Sequence, residues 1–144
     1  MRTLQRALRL VLNLPFMVRA FSRLPDATNS RNWVQVAEIL EALHNRGLGS
    51  DDTHHRLGCA YVMLERWQEA CSEFEQIRRS LPNERDESRR LFNYSLALCC
   101  SSRQKEAIGV IDAVSGEWPV HMRKKVEQLR QHLREGNVPP PSVQ

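Results

Sequence analysis

No glycine-rich phosphate loop, no nucleophile elbow and no Cys-x-x-Cys pair occurs in the 144 residues. A phosphate cradle, an acyl-transfer serine and a dithiol couple therefore each lack their usual support. No run of Lys and Arg is interleaved with aromatics, so nucleic acid is not an expected partner. Apolar runs are short. The one nearest the N-terminus is interrupted by Asn13, Pro15 and Arg19, well below the roughly 20 residues that a membrane span needs. Strand-like alternation is absent too.

Cysteine is sparse and poorly placed for a disulfide framework. Of Cys59, Cys71, Cys99 and Cys100, the last two are adjacent, a geometry that strains a bridge. Reduced thiols are expected, which fits the cytoplasm or another reducing compartment. The length suits one domain with a real core.

Acid is missing from residues 1–25, which carry five arginines, whereas residues 51–87 hold nine acids against five bases. Residues 120–144 are basic again, with five bases against two acids. Basic ends suit an anionic surface or an acidic partner.

What is present is helical periodicity. In "MRTLQRALRLVLNL", Arg2, Gln5, Arg6, Arg9 and Asn13 share one stripe, and Leu4, Leu8, Val11 and Leu12 face away. Pro15 interrupts, and "FMVRAFSRL" follows up to Pro25. This basic leader, residues 1–25, has three readings. It covers one end of the domain, or it is a membrane-surface or mitochondrial targeting helix, or it is a secretory signal. The last is disfavoured by Arg19 directly after the apolar centre and by the lack of a small-x-small cleavage site. "DATNSRN" at 26–32 reads as a polar turn.

Further helices are expected over 33–45, from Asp51 or Asp52 as cap to about Glu65, over 67–80, 87–100 and 104–114, and over 120–135. Gly47 and Gly49 end the first of these, Pro82 the third, Gly116 and Pro119 the fifth, and Gly136 the last. "NVPPPSVQ" reads as part of a flexible proline-rich tail over 136–144.

The helices fall into pairs with a period near 34 residues. Counting from Asp51, Leu57 and Gly58 stand at positions 7 and 8, Tyr61 at 11, Ala70 at 20, Phe74 at 24 and Pro82 at 32. Counting from Ser88, Leu98 falls at 11, Ala107 at 20, Ile111 at 24 and Pro119 at 32, with Ser95 in place of the glycine. This pattern resembles the tetratricopeptide repeat, a helix-turn-helix unit. Ile77 departs from it, standing at position 27 where the family has alanine.

The resemblance implies an all-α chain of antiparallel helix-turn-helix repeats stacked as a short right-handed α-solenoid. A basic amphipathic helix would lead it. A degenerate repeat to residue 50, repeats over 51–84 and 88–121 and a capping helix over 120–135 would fill a repeat domain over 26–135. In such a unit Gly58 lets the paired helices approach and Ala70 packs against that spot. Tyr61 and Phe74 would fill the space toward the next pair.

The sequence points to no catalytic group. Cys99 and Cys100 lie in mid-helix, without a helix N-terminus or a fixed base to activate them. His54, His55, Cys59 and Cys71 have the wrong spacing for a structural zinc site, although His55 and Cys59 share a helix face. Neither metal nor cofactor is expected.

The resemblance does imply a binding groove lined by the first helix of each pair. On α-helix 51–65 those positions are His55, Arg56, Cys59, Val62 and Met63, with Asp52 at the edge. On the next first helix they are Arg89, Phe92, Asn93, Leu96 and Cys99, followed by Cys100. The lining is apolar and soft, with arginines at its rim. It suits another protein's amphipathic helix or extended peptide with an acidic fringe. Arg89 and Asn93 mimic part of the family's clamp for C-terminal carboxylates, but the degenerate first unit leaves that clamp incomplete. The chain's own leader is the alternative occupant.

Overall fold

Apolar residues at helical spacing dictate helices throughout, and the computed structural model, described for residues 2–114, 117–136, 140 and 141, contains eight with no strand among them. They are α1 (Arg2–Leu12), α2 (Leu14–Asn29), α3 (Trp33–Asn45), α4 (Asp51–Met63), α5 (Trp67–Glu75), α6 (Glu84–Cys100), α7 (Gln104–Asp112) and α8 (Val120–Glu135). From α2 to α8 each helix packs on the next, and α4 packs also on α6, and α6 on α8. The described α2 and α4 make no such contact.

One turn recurs in α2–α3, α4–α5 and α6–α7. Each has a left-handed residue, Arg31, Glu65 and Ser102, with φ of 54°, 56° and 61°. After each, a backbone N–H reaches back five residues. Asn32 N–H donates to Ala27 O at 2.9 Å, Arg66 N–H to Tyr61 O at 2.8 Å and Arg103 N–H to Leu98 O at 2.8 Å. These are Schellman closures, which satisfy helix-end carbonyls and offset the strain of a non-glycine residue at positive φ. Gly47, at φ 69°, closes α3 in the same way, as expected of a glycine at that place.

Several helix ends differ from the sequence reading. Pro25 does not end a segment: α2 runs through it to Asn29, so residues 26–29 are helix and not turn. Leu24 and Ala27 are buried while Pro25 faces out. The apolar contact with α3 holds the helix against a proline cost of about 3 kcal/mol.

Ser50, not Asp51 or Asp52, caps α4, in a reciprocal box with Thr53, and the aspartates sit in the first turn. Helix α6 begins at Glu84, because Asn83 accepts from the N–H groups of Arg85 and Asp86 at 2.9 and 3.1 Å. Pro119 serves as N-cap of α8, while α7 has already ended at Asp112. Gly116 lies outside the described residues, as does most of the tail. Of the rest, Gly136 caps α8 at φ 68° and Pro141 is buried.

Helix α5 stops at Glu75, well short of Ser80 and Pro82. The segment after it is tied instead to α6, where Glu87 accepts the Leu81 N–H at 2.8 Å and the Arg90 guanidinium. Burial pushes the Glu87 carboxyl up, but these donors outweigh it and hold it below the usual range. Such a group stabilises the fold above the ordinary carboxylate pKa and loses that contribution as pH falls through its lowered value. Glu87→Gln is therefore expected to lower stability at neutral pH and to flatten the acid limb of stability against pH, read from urea midpoints at pH 7 and about pH 3.

The core runs along the pairs. Leu40, Phe74 and Ile111, equivalent residues of the three second helices, are all buried. Leu57, Leu98, Ala70 and Ala107 are buried beside them. An added Cβ on Gly58 would lie 2.7 Å from Phe74 Cε1, so the ring of Phe74 requires this glycine. Phe74 meets the next pair at Tyr94, with ring centroids 5.8 Å apart. Tyr61 looks the other way, donating its hydroxyl to Glu41 of α3 at 2.6 Å. Ser95 uses its small hydroxyl to bond Ala107 O at 2.8 Å.

Two members of the polar stripe, Arg9 and Asn13, touch the body. Arg9 lies over Gly47, and Asn13 accepts from Arg46 Nη1 at 3.0 Å. The apolar stripe faces outward, with Leu4 78% and Leu12 71% exposed, so α1 does not bury that face in the core.

Candidate binding cleft

First helices α2, α4, α6 and α8 surround a cleft of about 520 Å³. Its depth comes from the gap between α2 and α4, which α3 backs with Trp33 and Val36. Leu24, Val36, Phe92, Leu96 and Met122 form an apolar floor, and Met63 adds a half-buried thioether. The rim carries Arg56, Arg85, Arg89 and Lys125 against Asp52 and Asp86. Four cations facing two acids give it a positive excess.

Eight of the ten groove residues expected from sequence line this cleft: His55, Arg56, Cys59, Met63, Arg89, Phe92, Asn93 and Leu96. Val62 and Cys99 do not, and both are buried. Both stand at position 12 of their units, on helices α4 and α6, which pack against each other. The equivalent Thr28 of α2, a helix with no such contact to α4, remains in the cleft. No described side chain of α1 lines it.

Sequence reasoning missed Leu24 and Thr28, because Pro25 argues for a helix end, and Trp33 and Val36, because they stand on a second helix and not a first. It missed Arg85 and Asp86, which lie in the extra first turn of α6, and the residues from α8. The 34-residue frame carried back from Asp51 places Leu24, Thr28 and Val36 at positions 8, 12 and 20.

The floor is chemically quiet. Burial pushes the Cys59 thiol up to about 11, although Asn93 Nδ2–H donates to its sulfur at 3.3 Å. Burial lowers the His55 pKa, favouring the neutral ring. Burial also raises Cys71 and Cys99, and pushes Cys100 up to about 11. All four are therefore held as neutral thiols rather than nucleophilic thiolates at neutral pH. His54 points away from His55, with its Nδ1 2.7 Å from Glu73.

No protein-family model matches this chain, and neither does any curated protein or solved structure. The resemblance to tetratricopeptide repeats therefore rests on this chain's own residues. No described helix is long and apolar enough to cross a membrane.

Proposed function

We propose that this chain is a non-enzymatic interaction module, an adaptor, scaffold or chaperone of the tetratricopeptide kind. Its stacked pairs would form a short right-handed solenoid holding an amphipathic helix or extended peptide in the cleft. The observation that carries the reading is the cleft itself, an apolar, methionine-bearing floor under a positively charged rim. Apolar anchors at helical spacing fit such a floor, and acids on the ligand's flanks fit the rim. The recurring turn, spaced by 34 and then 37 residues, supports the repeat reading. The neutral thiols support a binding role over a catalytic one.

Selection of displayed helical peptides on the full chain tests this. Winners are expected to carry apolar residues at i, i+3 or i+4 and i+7 with flanking acids, and to compete for one site. Recovery of no binder, or of binders indifferent to Met63→Glu, would count against it.

A second reading has its own observation. The outward apolar stripe of α1 continues through exposed Leu14 and Val18 among arginines, as in helices that lie on anionic membrane surfaces. Because that face contributes little to the core, deleting residues 1–12 is expected to change unfolding free energy by no more than about 1 kcal/mol while removing any binding to anionic vesicles. Urea denaturation and vesicle sedimentation check both halves. Loss of the fold would show α1 to be core.

A further inference from the structure

Away from the cleft, three helices from two adjacent pairs bring two histidines and a carboxylate together. His44 ends α3, His54 lies in the early turns of α4 and Glu73 lies on α5. His54 Nδ1 stands 2.7 Å and His44 Nδ1 3.5 Å from the same oxygen, Glu73 Oε2. The two imidazoles lie side by side, with centroids 4.3 Å apart. Gly49 makes room for them, since a Cβ there would fall 3.1 Å from His54 Nε2 and 3.3 Å from His44 Cδ2.

The neighbouring cap sets the chemistry of His44. Thr53 donates its hydroxyl to Ser50 O at 3.1 Å and accepts the Ser50 N–H at 2.8 Å. The Thr53 hydroxyl also lies 3.0 Å from His44 Nε2, which fastens the far side of the ring. In the tautomer with its hydrogen on Nε2, His44 turns an Nδ1 lone pair toward the same carboxylate that His54 meets, the arrangement a bound cation uses. A histidine fixed through its far nitrogen, beside a second histidine and a carboxylate, is a familiar metal arrangement.

We propose that His44, His54 and Glu73 bind a divalent transition ion of the zinc class. Two imidazoles and one carboxylate favour such an ion over calcium or magnesium, which take oxygen, and over copper(I), which takes sulfur. The three donor atoms already lie within 4.8 Å of one another. Bonds of about 2.0–2.2 Å at tetrahedral angles set donors about 3.3–3.5 Å apart, so the 3.5 Å separation of His44 Nδ1 from Glu73 Oε2 already fits and the 2.7 Å one from His54 Nδ1 must open by about 0.7 Å. Water completes the fourth position. The side chains of His44, His54 and Glu73 are 14%, 21% and 19% exposed, which leaves a path for entry. The ion would fasten α3 to α4 and α5, joining neighbouring pairs behind the cleft.

The test uses the tag-free full chain, stripped by chelator and kept reduced. Zn²⁺ is titrated calorimetrically, and Co²⁺ is added as a spectroscopic surrogate. The proposal expects one equivalent to bind, with no thiolate charge-transfer band in the cobalt spectrum. Glu73→Gln, which keeps the shape of the carboxylate, and His54→Ala are each expected to weaken binding at least as much as loss of an outer-shell partner does, about 10–100-fold. His55→Ala, on the cleft side, should bind as the native chain does. Circular dichroism confirms that each variant is folded. No stoichiometric binding by the native chain, a thiolate band, unchanged affinity in folded Glu73→Gln, or equal loss in His55→Ala would each overturn the assignment.

Discussion

Phe74→Ala is expected to lower the unfolding free energy by roughly 3–5 kcal/mol, a large share of the 5–15 kcal/mol that holds an ordinary domain together. The ring is 1% exposed and fills the space between Gly58 and Tyr94, so no neighbour can close the void cheaply. Its partner gives the sharper test. In an unconstrained helix Gly→Ala stabilises by up to about 1 kcal/mol. Here the new Cβ would stand 2.7 Å from Phe74, so Gly58→Ala is expected to cost about 1–3 kcal/mol instead. In the Phe74→Ala background the obstruction is gone, and Gly58→Ala should become neutral or stabilising. Urea unfolding of the four proteins gives the cycle. A stabilising Gly58→Ala in the native background would contradict the packing described for α4 and α5.

The second large effect concerns the cleft. Arg56→Glu combined with Arg89→Glu reverses two of its four rim cations. Both side chains are exposed, so the fold should survive. Affinity for an acid-flanked helical peptide is expected to fall roughly 10–100-fold, since each reversed exposed contact exchanges an attraction of up to about 1 kcal/mol for a similar repulsion. Most of the loss should disappear at high salt, where such contacts are screened. Anisotropy titration at low and high ionic strength measures both. Unchanged affinity would remove the rim from the account.

The pairing of helices was legible in the sequence because the residues that report it are buried ones with narrow size requirements. Gly58, Phe74, Ala107 and Ile111 mark where helices approach, and that spacing also placed the cleft-lining side chains of α4 from His55 to Met63 and of α6 from Arg89 to Leu96. Helix α2 was less legible, because local chemistry and tertiary contact disagree there. Pro25 argues for a break, and the burial of Leu24 and Ala27 against α3 overrides it. Asn83 illustrates the opposite error, a cap hidden in a stretch that reads as loop. Position 12 lines the cleft at Thr28 but not at Val62 or Cys99, so the repeat frame alone does not place it. The His44, His54 and Glu73 cluster spans three helices and becomes visible only when adjacent pairs are set side by side.

The central claim is that the ligand lies in the cleft rather than on the outer stripe of α1. Hydrogen–deuterium exchange of the full chain, with and without a saturating selected peptide, separates the two. The account predicts added protection in segments 52–63, 85–96 and 121–125, whose residues line the cleft, and none in 2–12. Protection confined to 2–12, with the cleft segments unchanged, would contradict it.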